Sequence, residues 1–340
     1  MRKIYLTAII ILATNTGFAQ VNAKVDDIKK SLETENKDTV AWMYSGNFVL
    51  GFNEGFLHNW PAGGELGSIT TNSLFSVTLV YFNHSAVWTN NLELAYGLNY
   101  AYSTGFLPHK TDDRINFTSK YGTKVKNSKN IYLTGLFNFK SQFTKGYDYT
   151  QKMWDTTSTS KFLSPAYFTL ALGFEYRKGS DFNVFFSPLA ARVVLVDKYY
   201  TDMSPTGAFG VPYGKSSVFQ LGAYMSANYG VDITKKTRFK TRVDLYMNYL
   251  AKDTKDSTGV VIKKDNPGNI DIYWDNMLTC QLYKRLALSF GITLVYDNDI
   301  PYKDTYVDNT GATVKKDEPG TGLGWWQINQ IFTLGVQYKF

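Results

Sequence analysis

The sequence predicts an all-β fold: a transmembrane antiparallel β-barrel of about 12 strands, with short periplasmic turns and long extracellular loops. Three observations predict it. Apolar and polar residues alternate with period two through nearly everything after residue 41. Aromatic residues recur at both ends of the apolar face, where the two interfaces of a bilayer would lie. Short and long connections between the alternating segments follow one another without exception, as in outer-membrane barrels.

Taken in order, the chain begins with Arg2 and Lys3, an apolar run from Ile4 to Ala13, and Gly17-Phe18-Ala19 before Gln20. A cationic start, a core too short to span a bilayer and a small-residue cleavage site predict a secretory signal peptide over 1–19. Residues 20–41 are polar with weak helical spacing, including Val25, Ile28 and Leu32, and read as a short periplasmic arm. The barrel is expected over 42–340. Its strands are placed at 42–52, 73–82, 86–102, 113–126, 131–143, 166–177, 181–196, 218–233, 237–249, 270–282, 286–296 and 327–340.

Trp42, Tyr44, Phe48, Leu50 and Phe52 share one face of the first strand, with Ser45, Asn47 and Gly51 on the other. In the ninth, Phe239, Val243, Leu245, Met247 and Tyr249 oppose Arg238, Lys240, Arg242, Asp244 and Tyr246. Pro188 interrupts the seventh strand, and because proline removes a ladder donor a bulge or register shift is expected there. The last strand alternates Phe332, Leu334, Val336, Tyr338 and Phe340 up to the terminal residue. This resembles the terminal signature that barrel-insertion machinery reads in bacterial outer-membrane proteins, so that machinery and outer-membrane lipids are the first partners expected.

Composition removes other classes. Cys280 is the single cysteine of an exported chain, so disulfides do not hold the fold. No later segment approaches the ~20 apolar residues of a membrane helix. The formal charge of +7 includes Arg2 and Lys3, and no basic cluster joins a recognition element, so nucleic acid is not an expected partner.

With the apolar face toward lipid, the inward face carries Arg114, Lys120, Lys124, Lys140, Arg238, Lys240 and Arg242 against Glu93, Glu175 and Asp244, with Asn116, Thr118, Gly122 and Gln142 among them. In an open pore this excess of bases favours small anionic solutes. The alternative is that these groups pair across strands and fill the barrel.

Three histidines, His58, His84 and His109, lie in connections, with His84 on the opposite side from the other two. Neither a zinc set nor an ordered calcium-loop spacing results, and no cofactor or metal is expected. His58 and His109 near Ser68 or Ser103 leave a rim-sited lipid-modifying enzyme as a third reading, unsupported by a G-x-S-x-G elbow, and the expectation is no enzyme. The leading function is a narrow channel or transporter for small polar solutes. The rival is a non-conducting barrel acting as scaffold, receptor or subunit of an envelope complex.

Several segments, NWPAGGE (59–65), WTNNLELAYGL (88–98), KTDDRINFTSKYG (110–122), LFNFKSQFTKGYDY (136–149), FLSPAYFTLALGFEY (162–176) and GAFGV (207–211), resemble the family of exported bacterial proteins catalogued as domain of unknown function 3078. Pro61 and Lys145 depart from its pattern. The resemblance implies an outer-membrane setting and carries no activity, ligand or catalytic residue.

The stretch NWPAGGELGS (59–68) resembles a phosphate loop only in its glycines: it has no Gly-Lys-Ser/Thr end and runs into a strand rather than a helix. Trp60, Gly63, Gly64 and Glu65 are therefore candidates for a loop folded over the barrel mouth, joined by Tyr147 and Tyr149 from a second outer loop.

Overall fold

Period-two alternation builds twelve long strands, and each finds two neighbours. The computed structural model describes residues 41–56, 67–83, 85–149, 155–179, 181–255, 259–263, 265–283, 285–297, 305–307, 313–315 and 326–339. The expected signal peptide over 1–19 and the arm expected over 20–41, save Ala41, which belongs to the first strand, lie outside them, as do the loop residues His58, Trp60, Gly63, Gly64 and Glu65, the turn residue His84, and Phe340.

In chain order the strands are β1 (Ala41–Phe56), β2 (Gly67–Asn83), β3 (Ala86–Ala101), β4 (Pro108–Lys124) and β5 (Ile131–Ser141), then β6 (Gly146–Tyr147) and β7 (Ser158–Ser160), which pair in an outer loop. They continue with β8 (Ala166–Lys178), β9 (Phe182–Leu195), β10 (Ser217–Thr234) and β11 (Thr237–Asn248). The loop pair β12 (Thr254–Lys255) and β13 (Val261–Lys263) precedes β14 (Ile270–Gln281) and β15 (Leu286–Tyr296). A last loop pair, β16 (Thr305–Val307) and β17 (Thr313–Lys315), precedes β18 (Gln327–Lys339). Twelve of these close into one barrel in the order β1-β18-β15-β14-β11-β10-β9-β8-β5-β4-β3-β2. The seam is antiparallel, from Asn47 opposite Lys339 to Gly51 opposite Gly335.

All twelve expected strands are present, and most differ from expectation only in length. β1 and β2 run to Phe56 and from Gly67, so Asn53 to Phe56 pair with Gly67 to Thr70 in what was expected to be loop. Apolar alternation marks only the stretch that meets an apolar medium, whereas the antiparallel hydrogen-bond ladder continues wherever two backbones stay side by side. The same reason accounts for β4 starting at Pro108 and for the small strand pairs inside the outer loops.

The barrel is apolar outside and polar inside. On β8, Leu172 is 58% exposed and Phe174 56%, while Thr169 is 4% and Glu175 0% exposed. Soluble proteins bury the first pair and solvate the second. On β18, Phe332, Leu334 and Val336 all point outward and are exposed.

The bulge expected at Pro188 is observed. Ala190 pairs with Gly222 and Ser187 with Tyr224, so β9 has one residue more than β10 between them, and the register against β8 shifts between Leu172 and Phe174. Ser187 is fully buried, its hydroxyl 2.8 Å from the carbonyls of Leu172 and Leu189. The phase of the strand reverses here: Asn183, Phe185 and Ser187 pair with inward residues before it, Ala190, Arg192 and Val194 after it.

Glycine on each strand flanking the bulge allows a close backbone approach, from β8 toward the bulge itself and from β10 toward β11 on its other side. A Cβ at Gly173 would stand 2.0 Å from the carbonyl oxygen of Phe186, and one at Gly222 would stand 1.8 Å from that of Met247. Backbone atoms in two ladders cannot give way as a flexible side chain can. Gly173→Ala and Gly222→Ala are each expected to lose the heat-modifiable barrel band on unboiled gels. Gly135→Ala, where nothing lies within 4 Å, is expected to keep it.

Candidate functional site

The inward face divides into two walls. From β4 round to β14, by way of β5, β8, β9, β10 and β11, it carries large charged side chains and tyrosines. Across the seam, from β15 through β18, β1 and β2 to the upper part of β3, it carries Gly291, Thr293, Thr333, Gly335, Val49, Gly51, Asn72, Leu74, Ala95 and Gly97, on faces set by their cross-strand partners.

On the charged wall, near the short-turn end, Glu175 accepts from Lys120 at 2.7 Å and from Arg177 at 2.8 Å, and Lys120 also donates to Asn183. Arg177 reaches Thr89 on β3. Nearer the turns, Arg238 bridges Asp181 (2.6 Å) and Asp232 (2.8 Å). At mid-height Asp244 holds Arg242 at 2.9 Å and Lys140 at 3.4 Å. Arg192 pairs with Asp271 at 2.8 Å and lies 3.4 Å over the ring of Tyr246. Beneath these, Leu136, Ala171, Phe185, Ala190, Tyr224 and Tyr246 form a buried apolar cluster within the barrel.

Some of these contacts cross the lumen. Arg114 on β4 donates to the hydroxyl of Tyr273 on β14 at 2.7 Å, and five strands separate β4 from β14 in either direction round the barrel. Lys140 on β5 lies 4.6 Å over the same Tyr273 ring. Arg114 also stands 3.8 Å from Asp275 and 4.0 Å from Asp112. Next to this crossing, on the neutral side, a cavity is lined by Asp112, Arg114 and Asp275 together with Asn72, Thr293, Asn329 and the apolar Val49, Leu74, Ala95, Met277 and Ile331.

The candidate pore residues are thus distributed unevenly. Arg114, Lys120, Lys140, Arg242, Glu175 and Asp244 meet in the networks above, while Glu93 accepts from Asn116 at 3.0 Å. Arg238 forms its own pair of bridges. Lys124 and Lys240 share the inward register and are exposed toward the short-turn end. Asp112, Asp271, Asp275, Arg177 and Arg192 belong to the site and were absent from the expected set. With them most of the charge excess that favoured anions becomes a set of ion pairs.

At the opposite end the outer loops fold on one another. Tyr149 stacks on His109 (ring centroids 4.1 Å apart) and accepts from the amide of Lys110, while Tyr147 packs 6.3 Å from Tyr149. Asp113 accepts from the amides of Phe143 and Thr144, tying that loop to the start of β4. The loop after β9 begins with one helical turn, Lys198–Thr201, capped by Asp197. It has its own core of Val194, Val196, Tyr200 and Val211. It joins the loop before β8 through Lys161–Asp197 and Ser158–Tyr200. The hydrogen bond from Lys161 holds the Asp197 carboxyl below its ordinary value and raises the Lys161 ammonium above its own.

Among the described residues no group of three or more His, Cys, Asp or Glu side chains is placed to hold a metal ion.

Similar barrels occur among solved structures. The translocator domain of the autotransporter NalP from Neisseria meningitidis is 10% identical, with 95% of this chain and 98% of that one covered and a TM-score of 0.32. An outer membrane channel from Pseudomonas putida F1 is 7% identical, with coverage of 89% and 97% and a TM-score of 0.34. OmpT, an outer membrane protein of Vibrio cholerae, is 11% identical, with coverage of 89% and 98% and a TM-score of 0.31. No curated protein matches the chain. Residues 52–147, from the end of β1 into the loop after β5, match the model of the family described as "Protein of unknown function (DUF3078)", the family that the segments of the sequence resemble.

Proposed function

We propose that the protein is an outer-membrane barrel with a narrow, selective passage for small polar solutes, running along the neutral wall and constricted by side chains of the charged wall. The membrane setting is supported by a closed barrel, which satisfies every strand edge, together with an exterior on which Trp42, Tyr44, Tyr121, Phe52 and Phe56 stand exposed. The alternation of Phe332, Leu334 and Val336 suits recognition by insertion machinery.

The observation that carries the passage is the division of the lumen. A barrel serving only as a support gains by filling its whole interior, yet here one wall is built mostly from small, uncharged residues, glycine, alanine, threonine and asparagine with Val49 and Leu74, beside a cavity. Because the charges on the other wall are paired, the passage favours neutral or zwitterionic solutes over anions. Purified protein in liposomes is expected to admit small uncharged solutes in a swelling assay and to give little steady ion current in a planar bilayer. Absence of any flux from a correctly inserted barrel overturns the reading.

One observation favours the scaffold reading in that event. The loop after β9 has a core of its own and a neighbour to lean on, as a receptor surface requires. Pull-down of an envelope partner, lost when residues 198–213 are replaced by a short linker, would then be the expected result.

A further inference from the structure

The cavity on the neutral side of the lumen has a polar roof and an apolar floor. Its charged lining residues are Arg114, Asp112 and Asp275, one positive and two negative, so its net charge is −1. The guanidinium is incompletely engaged. Its Nη1 donates to Tyr273, its nearest carboxylates lie at 3.8 and 4.0 Å, beyond hydrogen-bond reach, and its buried Nε has no partner among the described residues. A buried donor left unmatched is costly, so an acceptor placed here by a ligand is favoured. Asp275 is held in place by the hydroxyl of Thr293, which donates to its Oδ1 at 2.6 Å. The carboxylate keeps further acceptor capacity for a donor beside that acceptor. Below, Val49, Leu74, Met277 and Ile331 offer a surface for C–H groups.

We propose that this cavity binds a small neutral polyol, a compound with adjacent hydroxyl groups on one side and a C–H face on the other. Each hydroxyl both donates and accepts, so a vicinal pair meets the arginine and an aspartate together, which neither an anion nor a simple cation does. The net negative charge repels carboxylates and phosphates. A monovalent cation would leave both the arginine and the apolar floor unused. The site deepens the passage reading and depends on it only for how the solute enters and leaves.

The test uses full-length protein in detergent and in liposomes, with glycerol, a pentitol and a hexose as probes and gluconate as the anionic control. Saturation-transfer NMR is expected to show saturable binding of a polyol and none of gluconate. Asp112→Asn and Asp275→Asn are each expected to weaken polyol binding about tenfold with the heat-modifiable barrel band intact. The double variant changes the lining charge from −1 to +1 and is expected to admit gluconate. If the double variant does not insert, the single variants decide. No polyol binding, or binding unchanged in both single variants, overturns the site. Flux without saturable binding rejects the site and leaves the passage standing. Binding without flux rejects the passage and leaves the site.

Discussion

Glu175→Gln is expected to destabilise the barrel by about 3–5 kcal/mol, the cost of breaking a buried ion pair by removing one partner. Glu175 is 0% exposed and accepts from Lys120, Arg177 and the hydroxyl of Thr134. The amide keeps the shape and one acceptor but leaves two cations facing each other with no anion between them. Asn183 is within reach of Lys120 and Thr89 of Arg177, and neither supplies charge. Guanidinium unfolding of the protein in lipid vesicles measures the loss. Adding Lys120→Met to Glu175→Gln removes one of the stranded cations and is expected to recover part of the stability, so the double variant is firmer than the single. Equal stability of wild type and Glu175→Gln would mean that solvent reaches this triad and that the lumen is wetter than its packing implies.

The same triad illustrates what the sequence makes legible. Glu175 and Lys120 lie on strands whose alternation is clean, so their inward aim is readable from parity alone. Arg192 is different. It follows the Pro188 bulge, which reverses the phase of β9, so the parity that correctly places Phe185 places Arg192 on the wrong face until the bulge is counted. Asp271 and Asp275 lie on β14, where polar residues occur on both faces, as Asn276 beside Trp274 shows, so parity alone gives that strand no inward side. Partner choice is further from reach. Arg114 and Tyr273 lie 159 residues apart in the chain and meet only because the ring closes with their strands opposite each other. Strand positions follow from local periodicity, whereas the lumen depends on closure, a property of all twelve strands at once.

Closure also sets the second large effect. Replacing both Lys140 and Tyr273 by alanine is expected to raise single-channel conductance at least severalfold over wild type. The two side chains meet across the lumen, Lys140 above the Tyr273 ring and the Tyr273 hydroxyl accepting from Arg114. They join the charged wall to itself across the opening beside the neutral wall. Their removal leaves no carboxylate stranded: Asp244 keeps Arg242, bound through Nε at 3.0 Å and Nη2 at 2.9 Å. The barrel should therefore stay folded, unlike one that loses Asp244 and leaves Lys140 and Arg242 unpaired.

Either single change leaves a bridge, Tyr273–Arg114 in Lys140→Ala and Lys140–Asp244 in Tyr273→Ala. The effects are thus expected to be more than additive, as for groups acting as one unit. One positive charge is lost from the wall beside the opening, so the enlarged current should shift toward cations. A double variant that inserts normally yet conducts like wild type would place the barrier elsewhere along the axis. In that case the cross-lumen contacts would be support for the wall and nothing more.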